Sequence, residues 1–196
     1  VPVTLIEPRE TILEFVDREL VDDFIHQMRD RGMTIRLGCA VKNIAVKANG
    51  VEVTLADGRV VRSDILLYAA GRSGNVGSLG LDTVGIEADG RGKIKVDPVT
   101  FQTSVPNIYA AGDVIGFPSL ASTSMEQGRV AACHAFGMAL PPPPETFPYG
   151  IYAVPEISTV GRSEEQVKAS GVAYECGVAR FRETSRGHIM GLSSGF

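Results

Sequence analysis

The sequence of 196 residues contains no tryptophan, only three cysteines, and no long hydrophobic segment. Its longest uninterrupted apolar run, residues 65–70, is far shorter than the ~18 residues that a membrane-spanning helix needs. The formal net charge of −4 also lacks the basic excess with which proteins hold nucleic acids or anionic membranes. We therefore expect neither a nucleic acid nor a membrane among its partners.

The cysteines are isolated from one another, without a CxxC pair or a histidine at zinc-ligand spacing. This pattern predicts reduced, buried, structural thiols in a cytoplasmic protein, at positions Cys39, Cys133 and Cys176. The three histidines match neither a catalytic triad nor a metal site. The sequence thus indicates no catalytic side chain and no metal ligand.

Hydrophobic residues make up 44% of the chain, enough for a folded core, and 22 glycines indicate many tight turns. Apolar residues at helical spacing predict an amphipathic helix between Asp17 and Arg31. Residues 35–37, 41–46 and 51–55 alternate with a period of two, and Asp57-Gly58 is a typical hairpin turn. These segments predict a small antiparallel meander.

Two later segments, residues 65–69 and 107–111, are apolar on both faces and predict strands covered on both sides of a layered α/β domain. Residues 93–96 predict a further strand. A second helix is expected from Ser119 or Ala121 to Met138.

The tract Pro141–Pro144 predicts an extended linker. Beyond it, residues 157–160, 163–170 and 174–181 suggest a strand, a helix and a strand.

Polar groups follow several of these predicted strands, at the edge where open α/β sheets bind ligands. Asp113 ends one strand and could accept hydrogen bonds from the sugar hydroxyls of a nucleotide cofactor, whereas a bare Gly-Asp pair is also a common loop cap. The helix start near Ser119–Ser122 offers unpaired N–H groups to an anionic or electron-rich ligand.

Glu7 ends the first strand, where an acid typically binds the adenosine ribose of a dinucleotide and disfavours a 2′-phosphate. Arg9, two residues later, would instead favour that phosphate. A surface acid at a strand end is an equally acceptable interpretation of Glu7, because the chain contains no GxGxxG.

Taken together, four motifs resemble the flavin-dependent pyridine nucleotide–disulfide oxidoreductases over essentially the whole chain: Glu7, Ala70-Gly71-Arg72, residues 109–114 with Leu120-Ala121, and residues 154–161. The resemblance implies Rossmann-like, three-layer α/β domains that bind NAD(P) and FAD, plus the start of an α+β dimerisation domain. It places the end of the NAD(P) domain at residues 1–71, the returning part of the FAD domain at 72–143, and the dimerisation domain at 144–196.

The resemblance also implies roles for individual residues. Asp113, following Gly112, would bind the ribityl hydroxyls of FAD, and the N–H groups of Leu120, Ala121 and Ser122 would face the pyrimidine edge of its ring. The nicotinamide nucleotides NAD and NADP would lie against Glu7, Val41, Gly71 and Arg72.

Within the family, residues 112–122 and 149–157 look most like members that pass hydride from NADPH through FAD to NAD. Ser122 stands where dihydrolipoamide dehydrogenases usually carry histidine. Two alternatives stay open: a flavoprotein disulfide reductase whose cysteine pair lies upstream, and a non-catalytic module that forms a homodimer through the C-terminal region.

The family's glycine fingerprints and its C-terminal His-Glu pair are missing from these residues. We therefore expect the chain to be a fragment that by itself has no hydride-transfer activity and weak or no affinity for FAD.

Overall fold

The computed structural model describes residues 1–139 and 146–196, which form two compact units. The first comprises residues 1–67 and 150–196, and the second comprises residues 68–149. The predicted linker Pro141–Pro144 lies outside the described residues. None of the helices in the described ranges is long and apolar enough to cross a membrane.

Helix α1 spans Arg18–Asp30, as its spacing predicts. Asp17 caps it, because one carboxylate oxygen accepts the Glu19 N–H at 3.1 Å. The other oxygen accepts the N–H of Glu164 at 2.9 Å, which ties the cap to the C-terminal part of the unit. The apolar face of α1 forms the core of this unit, whose buried members are Val16, Val21, Phe24, Ile25, Met28 and Ile35.

Strands β1 (Thr4–Ile6) and β2 (Thr34–Arg36) pair in parallel, with Leu5 opposite Ile35. Helix α1 connects them, as a parallel pair requires a crossover. The alternating residues 35–37 therefore belong to this parallel pair, and their predicted place in the meander is wrong. Alternation alone does not show which strand a segment pairs with.

The predicted meander is confirmed as a three-stranded antiparallel sheet of β3 (Val41–Lys47), β4 (Gly50–Leu55) and β5 (Val60–Ser63). At its Asp57-Gly58 turn, Gly58 has a φ of 87°, which favours glycine. The two fully inward side chains of this sheet, Val53 and Leu55, are buried.

The C-terminal region contains β6 (Pro148–Ile151), which pairs with β7 (Ile157–Val160), followed by α3 (Glu164–Ala169) and α4 (Ser185–Met190). The strand and helix predicted at residues 157–160 and 163–170 are thus confirmed. The strand predicted at 174–181 is wrong: residues 172–180 are exposed and form no strand. Apolar alternation makes a strand only where another strand supplies hydrogen bonds.

The second unit contains the 3₁₀ helices Leu81–Val84 and Gly112–Ile115 and the helix α2 (Ala121–Ala135), which confirms the second predicted helix. The strands predicted at 93–96 and 107–111 are reduced to single bridges, Ala88 with Ile94 and Gln102 with Tyr109. Its buried apolar residues are Ile86, Ile94, Val130 and Ala131.

The predicted double-sided strand at residues 65–69 is not formed. Ile65 and Leu67 are 83% and 87% exposed. No strand in the described ranges pairs with this segment, so its backbone has no sheet to join.

Candidate functional site

A hydrogen bond joins the turn at Gly112 to the middle of α2. The buried Gly112 N–H donates to Gln127 Oε1 at 2.7 Å, and Gln127 is itself only 5% exposed. Gly112 has a φ of 83°, and a Cβ there would lie 3.3 Å from Ser124 Oγ. Both the backbone conformation and the close approach to α2 therefore require glycine.

Asp113 follows this turn and is exposed. Its backbone carbonyl accepts hydrogen bonds from Lys93 Nζ and from the Gly116 N–H. Within the described ranges, no donor contacts its carboxylate. The turn thus fixes the backbone of Asp113 and leaves its carboxylate available for the hydroxyl groups of a ligand.

The first turn of α2 also has a fixed backbone and free polar groups. Thr123 is buried, and its hydroxyl contacts the backbone of Pro118 and Leu120, including the Leu120 N–H at 3.3 Å. The N–H groups of Ala121 and Ser122, both exposed residues, have no acceptor in the described part of the chain. Because Ser124 of this helix packs against Gly112, Asp113 and the α2 N-terminus lie in one neighbourhood.

Gly71 and Arg72 lie in a segment without regular structure at the start of the second unit. Gly71 has a φ of 101° with open space around it, and Arg72 is exposed. The loop that follows is anchored by the Gly74 N–H, which donates to the Arg91 carbonyl at 2.7 Å.

Glu7 and Val41 both belong to the first unit. Glu7 directly follows β1, at the carboxyl end of the parallel pair, whereas Val41 is the first residue of β3. Glu7 is paired with Arg9 through an Nε to Oε1 contact of 2.8 Å. This side-chain bond, together with the Arg9 backbone N–H, holds the pKa of the Glu7 carboxyl below its usual value. Its backbone carbonyl accepts the Cys39 N–H, which joins the two loops at this edge.

Val41 begins β3 just beyond Cys39 and is 45% exposed. Arg36, the last residue of β2, has its Nε buried without a hydrogen-bond partner among the described residues. The carboxyl ends of β1 and β2 therefore carry one carboxylate and two guanidinium groups, the charged groups with which dinucleotide-binding folds hold a ribose or its phosphate.

The three cysteines form no disulfide, as predicted, but only two of them are partly buried. Cys39 and Cys133 are half-buried, whereas Cys176 is exposed because it lies in the irregular segment 172–180. The predicted burial of Cys176 is wrong. The described residues contain no cluster of side chains that could hold a metal ion.

Sequence reasoning missed Gln127 and Lys93, which position the Asp113 turn. The sequence does contain an indication of the role of Gln127, because this long polar residue lies at helical spacing on the buried face of α2. The other buried residues of that face are Thr123, Val130 and Ala131. Sequence reasoning also missed that Glu7 and Arg9 bind each other.

Comparison with known proteins agrees with this architecture. Residues 1–128 match the family model described as pyridine nucleotide-disulphide oxidoreductase, and residues 147–196 match its dimerisation domain. Proteins called soluble pyridine nucleotide transhydrogenase, from Mycobacterium tuberculosis and Erwinia tasmaniensis, are 47% and 45% identical over 98% and 100% of this chain. The chain covers 41% and 42% of their lengths.

Two solved structures share the fold. LpdA from M. tuberculosis has a TM-score of 0.88 at 30% sequence identity. The match covers 97% of this chain and 42% of the LpdA chain. The HOCl-induced flavoprotein disulfide reductase RclA from Escherichia coli has a TM-score of 0.89 at 28% sequence identity. This match covers 99% of the present chain and 45% of the RclA chain. These matches confirm the predicted α/β class, and the chain belongs to the pyridine nucleotide-disulphide oxidoreductase family.

Proposed function

We propose that the full-length protein containing this chain transfers hydride from NADPH to NAD through FAD. The names of the relatives, at 45–47% identity, support this choice of reaction. The observation that carries the flavin site is the Gly112 turn, which Gln127 fastens to α2 and which presents the Asp113 carboxylate beside the free first-turn N–H groups. Hydride leaves one nicotinamide and joins the other, so the reaction needs no further oxidant.

The residues present fit FAD. Asp113 would accept hydrogen bonds from ribityl hydroxyls. The free N–H groups of Ala121 and Ser122, next to the Leu120 N–H that donates to Thr123 Oγ1, would face the pyrimidine edge of the ring. The positive end of the α2 dipole would stabilise negative charge that develops there. Bound FAD supplies the hydride acceptor and donor, while the protein orients it.

In the first unit, Glu7 and Val41 would bind the nicotinamide nucleotides. The family resemblance implies the same role for Gly71 and Arg72. We place the boundaries of the three domains at residues 71 and 143. We also propose a cytoplasmic location, which the unpaired thiols support.

A second candidate is a flavoprotein disulfide reductase, which the likeness to RclA favours. This alternative requires a redox cysteine pair outside the present sequence, because its three cysteines are isolated. Both candidates use the same FAD and NAD(P) residues and differ in the final acceptor.

Steady-state assays of the FAD-loaded full-length protein separate them. With NADPH as donor, we expect reduction of thio-NAD at a rate at least tenfold above that with small disulfides or lipoamide. Rapid disulfide reduction without thio-NAD reduction would overturn the proposal. The 196-residue chain alone should show neither activity.

We further propose that the C-terminal region forms a homodimer. Its side chains Tyr152, Val160 and Ile189 are 90%, 62% and 86% exposed. Deleting the region is a poor test, because Ile151, Ala153 and Ile157 pack against the α1 core. We instead expect Tyr152→Asp or Ile189→Asp in the full-length protein to shift sedimentation from dimer to monomer, whereas a monomeric unmodified protein would contradict the proposal.

A further inference from the structure

Side chains of α2 hold the residues that lead into the Asp113 turn. At the turn itself, the Gly112 N–H donates to Gln127 Oε1 at 2.7 Å. Three residues earlier, Tyr109 Oη lies 2.8 Å from His134 Nδ1, and the two rings meet edge-on with their centroids 5.7 Å apart. The segment therefore runs beside α2 in the direction opposite to the helix.

The hydrogen bond between Tyr109 and His134 requires a neutral imidazole. Gln102 Nε2 donates to the Tyr109 oxygen at 3.2 Å and to the Pro106 carbonyl at 2.7 Å, which uses both protons of this amide. Because the phenolic oxygen already accepts one hydrogen bond, its own O–H is left to donate to His134 Nδ1. That nitrogen accepts only while it carries no proton.

Protonation would change the partners of His134. The titratable groups that face its ring from the packed segment are the Tyr109 phenol and the Asp97 carboxylate, which is close enough to interact with it electrostatically. Cys133 precedes it on α2, and its place in the last turn of that helix favours a cation. An imidazolium would be attracted to Asp97, and the O–H of Tyr109 would lose its acceptor.

We propose that His134 is a positioning residue for the proposed flavin site, and that its protonation loosens the Asp113 turn and weakens the binding of FAD. Neutral His134 holds Tyr109, and the short segment from Tyr109 to Gly112 passes this restraint to the turn. When the hydrogen bond is lost, the segment loses one of its attachments to α2. This inference rests on the proposed function, because its readout is the flavin that Asp113 would bind.

The test measures the dissociation constant of FAD for the full-length protein between about pH 5.5 and pH 8, the interval in which histidine side chains change charge. For the unmodified protein we expect the constant to rise about fivefold as the pH falls, the effect of losing one neutral hydrogen bond.

Two variants separate the acceptor from the charge. His134→Asn places its Oδ1 where histidine has Nδ1, so it accepts from Tyr109 without titrating. It should keep the affinity of the unmodified protein at pH 8 and lose the rise on acidification. Tyr109→Phe removes the hydroxyl and should bind FAD about fivefold more weakly at every pH, again without the rise.

His26→Asn is the matched control. His26 is also a helical histidine, but it is exposed on α1 in the first unit. Its replacement should leave the pH profile of FAD binding unchanged. An equal rise in His134→Asn and in the unmodified protein overturns the inference, and so does a constant affinity in the unmodified protein. If Tyr109→Phe does not fold, the comparison of His134→Asn with the unmodified protein decides alone.

The proposed function can fail separately. A protein that releases FAD on acidification with the expected response to His134→Asn, but transfers no hydride from NADPH to NAD, supports the role of His134 and refutes transhydrogenation. A protein that transfers hydride, but binds FAD with the same pH profile in all variants, refutes the role of His134 alone.

Discussion

Replacing Gly112 by alanine tests the turn that presents Asp113. The positive φ of 83° costs an L-residue about 1–2 kcal/mol. The new Cβ would also lie 3.3 Å from Ser124 Oγ, a tight contact that costs about 1 kcal/mol if the helix cannot shift. We therefore expect Gly112→Ala to lower the free energy of local opening by about 2–3 kcal/mol.

Amide hydrogen exchange of the Gly112–Gln127 region in the full-length protein measures this loss. Gly85→Ala is a matched control, because Gly85 has a φ of 72° in open space and should show only the backbone cost, about 1–2 kcal/mol. Ser124→Ala removes the contacting oxygen and should restore about 1 kcal/mol to Gly112→Ala in a double-mutant cycle. Equal losses for Gly112→Ala and Gly85→Ala would refute the argument that α2 packs closely on this turn.

Three further predictions concern charged groups. Asp113→Asn in the full-length protein should weaken FAD binding by about tenfold or more, measured by flavin release on dilution; retention of full affinity would remove Asp113 from the flavin site. Asp17→Ala removes the acceptor of two backbone N–H groups and should cost about 1–3 kcal/mol in urea unfolding, whereas a loss below 0.5 kcal/mol would show the cap to be dispensable. The lowered pKa of Glu7 means that its pairing with Arg9 stabilises the fold above its usual pKa of 4.5 and is lost as the pH falls through the lowered value. Glu7→Gln should therefore flatten the stability profile below about pH 4.5, and an unchanged acid slope would contradict the pairing.

Features that depend on local sequence could be predicted. Helix α1 follows from apolar spacing bounded by Asp17 and Gly32, and the meander follows from alternation around Asp57-Gly58. In both, the residues that form the element also supply its caps, turns and buried face, so no distant partner is needed.

Features that depend on distant partners could not be predicted. Residues 65–69 and 174–181 have strand composition, yet neither segment has a pairing strand within the described ranges. The hydrogen bond from Gly112 to Gln127 links residues 15 positions apart, and only the polarity of Gln127 on an inward helix face indicated it.

The candidate site shows the same division. The positions of Glu7 and Asp113 after apolar segments marked them as candidates, and Asp113 is exposed in the structure. The sequence presented Glu7 and Arg9 as opposing signals for the nucleotide. Their hydrogen bonds within one turn show that they form a pair.

The central claim, that hydride passes from NADPH through bound FAD to NAD, is tested most directly by anaerobic half-reactions of the full-length protein. On addition of NADPH the yellow flavin absorbance should bleach, and on addition of excess NAD⁺, with no disulfide present, it should return as NADH forms. A flavin that NADPH bleaches but only a disulfide re-oxidises would contradict the account.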